Sequence, residues 1–401
     1  MPLARTAPLR RAMERNFPSR PFTVEFWDGT SLPSTENGGP RFSVRSPAAV
    51  AHALRAPGQL GVGRAYVSGA LDVDDLAAVM RVLDSWQPPP LDAKSRARLA
   101  LAALQACGLQ RPPSVPAAEV SLHGPRHSPE RDADAVRYHY DVSNDYFALF
   151  LDESLTYSCA VFSRGATTLE EAQEAKLELV CSKLGLGPDD TVLDVGCGWG
   201  SFALHAAGRH GCRVVGITLS PRQAELARER VAEAGLTDRV EIRVADYREL
   251  SGERFDAIAS IGMVEHVGEE RIDEYASRLA ALLEPDGRML NHGIARLSPN
   301  YSSPGPFSER YVFPDGDPLP LSRVQLALER AGFVTDHVEG FAADYAETLR
   351  HWAERFDSRF DEAVRLAGME RARVWRLYLR AARNGFLNGF TSVYQVRCRL
   401  R

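Results

Sequence analysis

The feature that most restricts the fold is a buried strand that runs directly into a glycine-rich turn. Thr191–Val195 is rich in β-branched and apolar residues, and glycines at 196, 198 and 200 follow it. A helical pattern starts at Ser201. Glycine allows a sharp turn from strand to helix and lets a ligand approach the backbone closely. The segment therefore predicts the first strand–helix unit of a doubly wound sheet.

Further strands follow in the same alternating pattern. They are predicted over residues 213–218, 240–244, 255–261, 288–292 and 392–397, with helices over 201–210 and 221–234. Parallel strands joined by helices form a sheet that is covered on both faces and binds ligands at the carboxyl ends of its strands. The expected fold class is therefore α/β from about residue 135 onward.

The acid at the end of the first strand indicates the type of cofactor. Asp194 opens a D-x-G-x-G-x-G sequence that includes Gly196, Gly198 and Gly200. A carboxylate at this point repels a pyrophosphate but suits a cationic amino-acid cofactor. The motif therefore predicts S-adenosylmethionine and the class I methyltransferase fold, although nicotinamide-dinucleotide proteins place a G-x-G-x-x-G turn at the same position.

The turns after the second and third strands predict further cofactor contacts. Many such enzymes end the second strand with an acid for the ribose, but this chain has Thr218-Leu219 and then Gln223, so neutral groups are expected to bind the hydroxyls there. Asp246 and Tyr247, after the third strand, are placed to meet the adenine. Asp246 also has the alternative role of a helix cap.

Composition excludes several classes of protein. The net charge is −5, so no general attraction to nucleic acid is expected. The six cysteines form no C-x-x-C pair and have no histidine at metal-ligand spacing, which predicts neither a disulfide framework nor a metal site. No signal-peptide core and no run of about 18 apolar residues occurs, which favours a cytoplasmic protein that reaches lipid from the inner face of the membrane.

The sequence before the sheet divides into two parts. Residues 1–87 mix short strand and helix patterns and predict a small α+β domain, in which four glycines between 58 and 69 predict a loop. Residues 88–134 are proline-rich around one helix near 92–107, as is typical of a linker. The catalytic domain is expected over 135–401. Residues 1–20 are basic and amphipathic, which suits an anionic bilayer or, alternatively, a solvated tail.

Six blocks in order carry a resemblance to a known family. They are Tyr138–Asp145, Tyr157–Ala160, Leu193–Gly200, Gly262–Gly268, Tyr311–Gly316 and Asp344-Tyr345. Together they resemble the cyclopropane fatty acid synthase family, which includes mycolic acid cyclopropane synthases and fatty acid methyltransferases. The likeness covers about 135–401, and Leu60–Gly69 is similar to the N-terminal lipid-binding domain of the bacterial phospholipid synthases.

The resemblance implies the residues of two adjoining sites. A bicarbonate ion, the base of the reaction, would be bound by Cys159, Glu265, His292, the backbone of Ile294, and Tyr345. The cofactor would be bound, besides the motif residues, by Tyr157, Ser158, Gly196, Gly198, Thr218, Leu219, Gln223, Asp246, Tyr247 and Ile261. The implied reaction adds the one-carbon unit of S-adenosylmethionine to an unsaturated acyl chain of a phospholipid, with no metal.

Most of these residues also have an ordinary structural interpretation. Cys159 and Ile294 are common core residues, and His292 at a strand end fits a buried, hydrogen-bonded histidine. His266 is expected to have a structural role. The segment 138–141 is expected to form part of a lid over the cofactor, with a helix start as the alternative.

The sequence departs from the family pattern at Gly293. The cyclopropane synthases usually have His-Thr-Ile on this strand, where this chain has His292-Gly293-Ile294. Losing a hydroxyl and side-chain bulk beside the base leaves two products open, a cyclopropane or a methylene or methyl branch. A branched methyl product would need a separate reductase as partner, and the resemblance also allows a homodimer through the N-terminal domain.

Two other functions remain as alternatives. One is a small-molecule C- or N-methyltransferase, which a short polar pocket would favour. The other is a non-catalytic lipid-binding protein, against which the intact glycine turn argues.

Overall fold

The computed structural model describes residues 5–108, 113–120, 123–140, 142–297 and 306–401. The chain forms two compact units. The first comprises Met1–Val120, Gly305–Val312 and Ala367–Ala381, and the second comprises Ser121–Pro304, Phe313–Leu366 and Ala382–Arg401. The boundary near residue 120 falls within the segment predicted as a linker, and two later segments join the first unit. Among the described residues, no helix is both long and apolar enough to span a bilayer.

The first unit contains a small sheet with helices. Its strands pair in the order β2-β1-β3-β4, with β1 and β3 parallel and the other two pairs antiparallel. Its elements are β1 (Thr23–Glu25), β2 (Ser31–Leu32), β3 (Arg41–Val44), β4 (Leu71–Val73), α1 (Ala7–Asn16), α2 (Pro47–Arg55), α3 (Gln59–Val67), α4 (Leu76–Ser85), α5 (Ala93–Cys107) and α12 (Pro306–Tyr311).

The prediction of a loop between residues 58 and 69 is wrong, because α3 occupies most of that segment. Its glycines serve close packing rather than chain flexibility. A Cβ at Gly61 would lie 2.3 Å from the carbonyl oxygen of Ala56, and one at Gly63 would lie 2.3 Å from the ring of Phe307. Helix α3 can therefore pack against the end of α2 and against α12 only because positions 61 and 63 have no side chain.

The N-terminal basic segment forms helix α1 in its described part. Leu9 is buried, and Met13 packs against the same core cluster, which includes Ala103 and Ala106 of α5. The apolar side of α1 is thus covered by the core of its own unit.

The second unit is a doubly wound sheet, as predicted. Its seven strands lie in the order β10-β11-β9-β8-β5-β6-β7. The five strands from β9 to β7 are parallel, and β11 is antiparallel to both of its neighbours. The strands are β5 (Thr191–Val195), β6 (Arg213–Thr218), β7 (Val240–Val244), β8 (Phe255–Ile261), β9 (Leu283–Arg296), β10 (Phe333–Gly340) and β11 (Thr391–Leu400).

Helices cover both faces of this sheet. Two clusters of buried apolar side chains, one containing Leu193 and Ile258 and the other Val192 and Ala257, occupy its opposite sides, because neighbouring residues of a strand point in opposite directions. The helices are α6 (Pro129–Tyr140), α7 (Asn144–Phe147), α8 (Leu169–Leu184), α9 (Ser201–His205), α10 (Pro221–Glu233), α11 (Ile272–Ala281), α13 (Leu321–Arg330), α14 (Ala342–Ser358) and the ends of α15 (Phe360–Leu387).

The sequence predicted the first four strands with the observed bounds, whereas the fifth is longer than expected. The predicted helix over 201–210 is α-helical only to His205 and continues as a π-helix over Ala206–His210.

Candidate functional site

The glycine turn lies between β5 and α9 at the carboxyl edge of the sheet. Gly196, Gly198 and Gly200 all have positive φ, of 80°, 55° and 82°, which explains why glycine occupies each position. The backbone N–H groups of Gly196 and Cys197 donate to the carbonyl of Ile217 at 3.0 and 2.9 Å. The turn is therefore bound to the end of β6 and leaves its outer side open.

One cavity lies at this edge of the sheet, and the predicted cofactor residues surround it. Its wall includes every one of them except Gly200: Tyr157, Ser158, Asp194, Gly196, Gly198, Thr218, Leu219, Gln223, Asp246, Tyr247 and Ile261. Gly200 instead faces α10, where a Cβ would lie 3.3 Å from Ala227. Glycine at position 200 thus allows the start of α9 to pack closely against α10.

A buried lysine that the sequence reasoning missed also lines this cavity. Lys176 on α8 is fully buried, and its Nζ donates to Ser158 Oγ at 3.0 Å. Burial lowers the pKa of Lys176 to about 8, although the carboxylates of Asp152 and Asp194 oppose the shift. One signal was available, since Lys176 is one of three lysines in the chain and falls on the apolar face of its helix.

Asp194 at the end of β5 carries an unsatisfied acceptor. Its Oδ2 is buried and has no hydrogen-bond partner among the described residues. Burial raises the pKa of Asp194 to about 7, and the Lys176 ammonium opposes the rise. An acceptor in such a place suits a cationic ligand group, as expected from the motif.

The turns after β6 and β7 are held by local hydrogen bonds. The Thr218 hydroxyl donates to Gln223 Oε1 at 2.8 Å, which turns the Gln223 amide nitrogen away from it. Asp246 forms an ion pair with Arg248, with an N–O distance of 2.5 Å, and accepts from the Arg248 backbone N–H at 2.9 Å. Asp246 therefore combines a turn-stabilising role with its position on the cavity wall.

Aromatic rings connect this cavity to the second predicted site. Tyr157, on the cavity wall, stacks on Trp352 with ring centroids 5.2 Å apart. The ring of Trp352 also meets that of Tyr345 in a T-shaped arrangement, with centroids 6.1 Å apart. The two predicted sites are thus joined by apolar contacts.

The residues predicted to bind the base lie directly behind the cavity wall. Cys159 follows Ser158, Glu265 lies between the wall residues Met263 and His266, and His292 pairs with Ile261 in the sheet. We call Cys159, Glu265, His292, Ile294 and Tyr345 the cradle.

Phe341 brings three members of the cradle together. Its carbonyl oxygen accepts from the Cys159 thiol at 3.7 Å and from the Tyr345 backbone N–H at 2.9 Å. Its ring lies nearly parallel to that of His292, with centroids 6.4 Å apart. Phe341 precedes α14, so this helix carries Tyr345 to the cradle.

A chain of hydrogen bonds defines the tautomer of His292. Lys183 Nζ donates to Gln395 Oε1 at 2.6 Å, so the Gln395 amide nitrogen must face His292 Nδ1, which lies 3.1 Å away. Nδ1 is then an acceptor and the proton resides on Nε2. Burial and the positive charges of Lys176 and Lys183 lower the pKa of His292 to about 3, so the ring is neutral near pH 7.

Glu265, like His292, has a buried polar atom that is not used in a hydrogen bond among the described residues. Burial raises the pKa of Glu265 to about 7, while hydrogen bonds from the backbone N–H groups of Glu265 and Ile294 oppose the rise. Glu265 Oε2 and His292 Nε2 are both buried without a hydrogen-bond partner in the described part of the chain. The backbone N–H of Ile294, which was expected to bind the base, donates to the carboxyl group of Glu265.

The structure corrects the expectation that Gly293 leaves extra room beside the base. A Cβ at position 293 would lie 2.2 Å from Val264 Cγ1 and 3.3 Å from Glu265 Oε2. The side chain of Val264 already fills the space that a larger residue at 293 would need. The glycine at 293 therefore removes a hydroxyl group from beside Glu265 but opens no space there, because Val264 occupies it.

Other residues on the cavity wall extend the predicted set. His266, expected to be structural, lines the cavity, and burial lowers its pKa to about 4. Asp132 and Ala135 of α6 also line it, whereas Asp141 of the expected lid lies outside the described residues.

A family model described as mycolic acid cyclopropane synthetase matches residues 127–396. The chain belongs to this family. A probable fatty acid methyltransferase of Mycobacterium tuberculosis is 37% identical over 354 residues, which cover 86% of this chain and 83% of that protein. The cyclopropane-fatty-acyl-phospholipid synthase of Escherichia coli is 33% identical over 84% of this chain and 82% of its own length.

A solved member of the mycolic acid cyclopropane synthetase family has the same catalytic fold. The mycolic acid cyclopropane synthase CmaA1, complexed with SAH and CTAB, is 35% identical, with a TM-score of 0.63 over 67% of this chain and 98% of that chain. The protein is therefore an S-adenosylmethionine-dependent transferase with a class I methyltransferase fold. The open acceptor of Asp194 and the exposed backbone of the glycine turn fit this cofactor.

Proposed function

We propose that this protein transfers the one-carbon unit of S-adenosylmethionine to the cis double bond of an unsaturated acyl chain in a phospholipid, with bicarbonate as the base. The observation that carries the proposal is the pair of open polar atoms in the cradle, Glu265 Oε2 and His292 Nε2. Both lie behind the cavity wall and away from water. A simple N- or O-methyltransferase would have no need for two buried polar atoms without partners at this place.

The cradle has the chemistry to bind a small anion. His292 presents an N–H through Nε2, because Gln395 occupies Nδ1. The raised pKa of Glu265 favours its protonated form, which also donates a hydrogen bond. His292 and Glu265 thus give the cradle two hydrogen-bond donors rather than a fixed negative charge.

When bound, S-adenosylmethionine supplies an electrophilic methyl group and bicarbonate supplies a base. The residues of the chain hold the reacting groups and exclude water. Asp194, on the cavity wall, would bind the positively charged amino group, and the aromatic rings of Tyr157 and Trp352 provide apolar surface next to both the cavity and the cradle. Aromatic surface suits an alkyl cation, because the face of a ring stabilises positive charge without forming a bond to it.

Either of two products is consistent with this arrangement. Loss of a proton from the new methyl group closes a cyclopropane ring, and a hydride shift before proton loss gives a methylene branch. Each route yields S-adenosylhomocysteine and one proton. Val264 and Gly293 present no hydroxyl beside the carboxyl group of Glu265, where the related enzymes usually have a threonine at 293. This apolar contact supports testing for the branched product first.

The proposal can be tested with radiolabelled S-adenosylmethionine and phospholipid vesicles that contain oleoyl chains. We expect label in the acyl chains, identified by gas chromatography of the methyl esters, and a rate that falls in bicarbonate-depleted buffer and recovers when bicarbonate is added. Vesicles with fully saturated chains serve as the control.

Two results would contradict the proposal in different ways. Absence of label in oleoyl chains, with cofactor binding intact, would exclude an acyl substrate and favour a small-molecule methyltransferase. If the rate of label transfer does not depend on bicarbonate, the reaction at the double bond remains supported, but bicarbonate is not its base.

A further inference from the structure

Three side chains with metal-binding atoms meet on the side of the sheet that α8 covers, and the carboxylate of Glu178 contacts two of them. The thiol of Cys181 and the ring nitrogens of His205 and His210 all lie within 4.8 Å of one another. Glu178 Oε2 lies 3.2 Å from His205 Nε2 and 3.1 Å from His210 Nε2. None of the four lines the cofactor cavity. They are therefore outside the site described above.

The backbone is adapted to bring these groups together. Glu178 and Cys181 are three residues apart on α8 and so lie on one face of that helix. His205 and His210 are five residues apart, a spacing that a regular α-helix places on different faces. The π-helix over Ala206–His210 widens the turn and puts both imidazoles on the same carboxylate oxygen. Such π-turns occur frequently at functional sites.

The distances suit a tetrahedral ion. Zinc binds nitrogen and oxygen ligands at about 2.0–2.2 Å, which separates neighbouring ligand atoms by about 3.3 Å. The two distances from Glu178 to the histidines already match this separation. The Cys181 sulfur lies within 4.8 Å of the two histidine nitrogens and would have to move closer to them to bind the same ion at about 2.3 Å.

We propose that Glu178, Cys181, His205 and His210 bind one divalent transition-metal ion of the zinc class. Two ligands come from α8 and two from the helix that follows the glycine turn. The ion thus links these helices and restrains the one that starts at the cofactor cavity. Its role is structural, since the four ligands leave no position open for a substrate.

The test uses the full chain, freed of any affinity tag, treated with a chelator and titrated with Co²⁺. We expect one equivalent to bind with the visible spectrum of a four-coordinate ion and a near-ultraviolet band of thiolate-to-cobalt charge transfer. Zn²⁺ should displace the cobalt and abolish both signals.

Variants identify the ligands. Cys181→Ser should lose the charge-transfer band, and His205→Ala and His210→Ala should each weaken cobalt binding by about 100-fold or more, because even an indirect partner of a ligand contributes about 10- to 100-fold. Cys212→Ser is the matched control, since Cys212 is equally buried in the same core cluster and should leave the spectrum unchanged.

The proposal fails if the unmodified protein shows no saturable cobalt site or binds cobalt without the charge-transfer band. It also fails if Cys212→Ser changes the spectrum as much as Cys181→Ser. Binding of S-adenosylhomocysteine by each variant verifies its fold. If Cys181→Ser does not fold, the loss of cobalt affinity in His210→Ala is the test, because His210 is partly exposed and its replacement should not prevent folding.

Discussion

The cofactor cavity and the cradle are neighbours built in different ways. The cavity wall is built largely from backbone turns at the ends of β5, β6 and β7, each held by hydrogen bonds within the turn or to the neighbouring strand. The cradle consists of side chains from four distant segments, held by Phe341 and by β11. A backbone site tolerates many side-chain changes, whereas a side-chain site depends on each of its members. Substitutions in the cradle should therefore reduce turnover, and substitutions at the cavity should reduce cofactor affinity.

The largest expected effect is that of Glu265→Gln. Because the variant keeps the shape of the side chain but removes the carboxyl group that would hold the base in place, we expect kcat to fall by at least about 100-fold. Affinity for S-adenosylmethionine, measured by calorimetry, should stay within a factor of a few. Glu229→Gln on the exposed side of α10 is the control. A loss of affinity equal to the loss of turnover would erase the distinction between the two regions.

Asp194→Asn should give the opposite pattern. A hydrogen bond to a charged group contributes about 1.5–3 kcal/mol, so cofactor affinity should fall by about 10- to 100-fold. At saturating cofactor, turnover should largely recover. Asp189→Asn, an exposed change just before β5, should alter neither quantity. If turnover remains low at saturation, Asp194 also acts in the chemical step.

The same two carboxyl groups predict an unusual dependence of stability on pH. The folded-state pKa values of Asp194 and Glu265 are both raised to about 7, so the folded protein binds more protons than the unfolded chain between about pH 4 and 7. Their contribution to stability is present below pH 4 and is lost as pH rises through 7. Urea unfolding at pH 6 and pH 8 should show this loss, and the double variant Asp194→Asn/Glu265→Gln should reduce it. An unchanged pH dependence would contradict the burial of these charges.

A smaller effect is expected at Gln395, which acts through His292. Gln395→Leu removes the donor to Nδ1 and should lower kcat by about 10-fold with little change in cofactor affinity. Gln395→Glu offers an acceptor to Nδ1, favours the other tautomer and should cost more. The ¹⁵N shifts of His292 report the tautomer directly. Normal kcat in Gln395→Glu, with a changed tautomer, would show that Nε2–H is not needed.

The smallest effect on rate is expected at Gly293. Gly293→Thr alone would overlap Val264 and should lower stability by about 1–3 kcal/mol. Val264→Ala/Gly293→Thr should restore stability and return a hydroxyl beside Glu265. We expect the ratio of ring to branched product to change in the double variant, as measured by gas chromatography. The same ratio in both proteins would exclude this contact as the determinant of the product.

The two regions also differed in how far the sequence could predict them. Asp194 and its glycines are adjacent in the chain, and strand periodicity placed Thr218 and Asp246 at the same edge of the sheet, so local patterns were sufficient. The cradle residues are up to 186 positions apart and were found only through resemblance to a family. Nothing in the local sequence placed Gln395 beside His292, because strand pairing between β9 and β11 depends on the whole sheet.

Packing explains the expectations that were wrong. The glycines of α3 suggested a loop, because glycines look the same in a sequence whether they make a segment flexible or let two helices pack closely. The space at Gly293 depended on Val264, which lies on another segment. The meeting of Cys181 with two histidines was invisible to spacing rules, because the ligands come from different helices and a π-turn alters their register.

The position of β11 has a consequence for how the protein folds. This strand inserts between β9 and β10, although it follows both in the sequence. A chain that has formed the parallel part of the sheet therefore still has β9 as an open edge until a distant segment closes it, and such nonlocal pairing is slow. Gln395 arrives with that strand. The contact that holds the proton on His292 Nε2 thus forms only when the sheet is complete, because Gln395 reaches Nδ1 with this last strand.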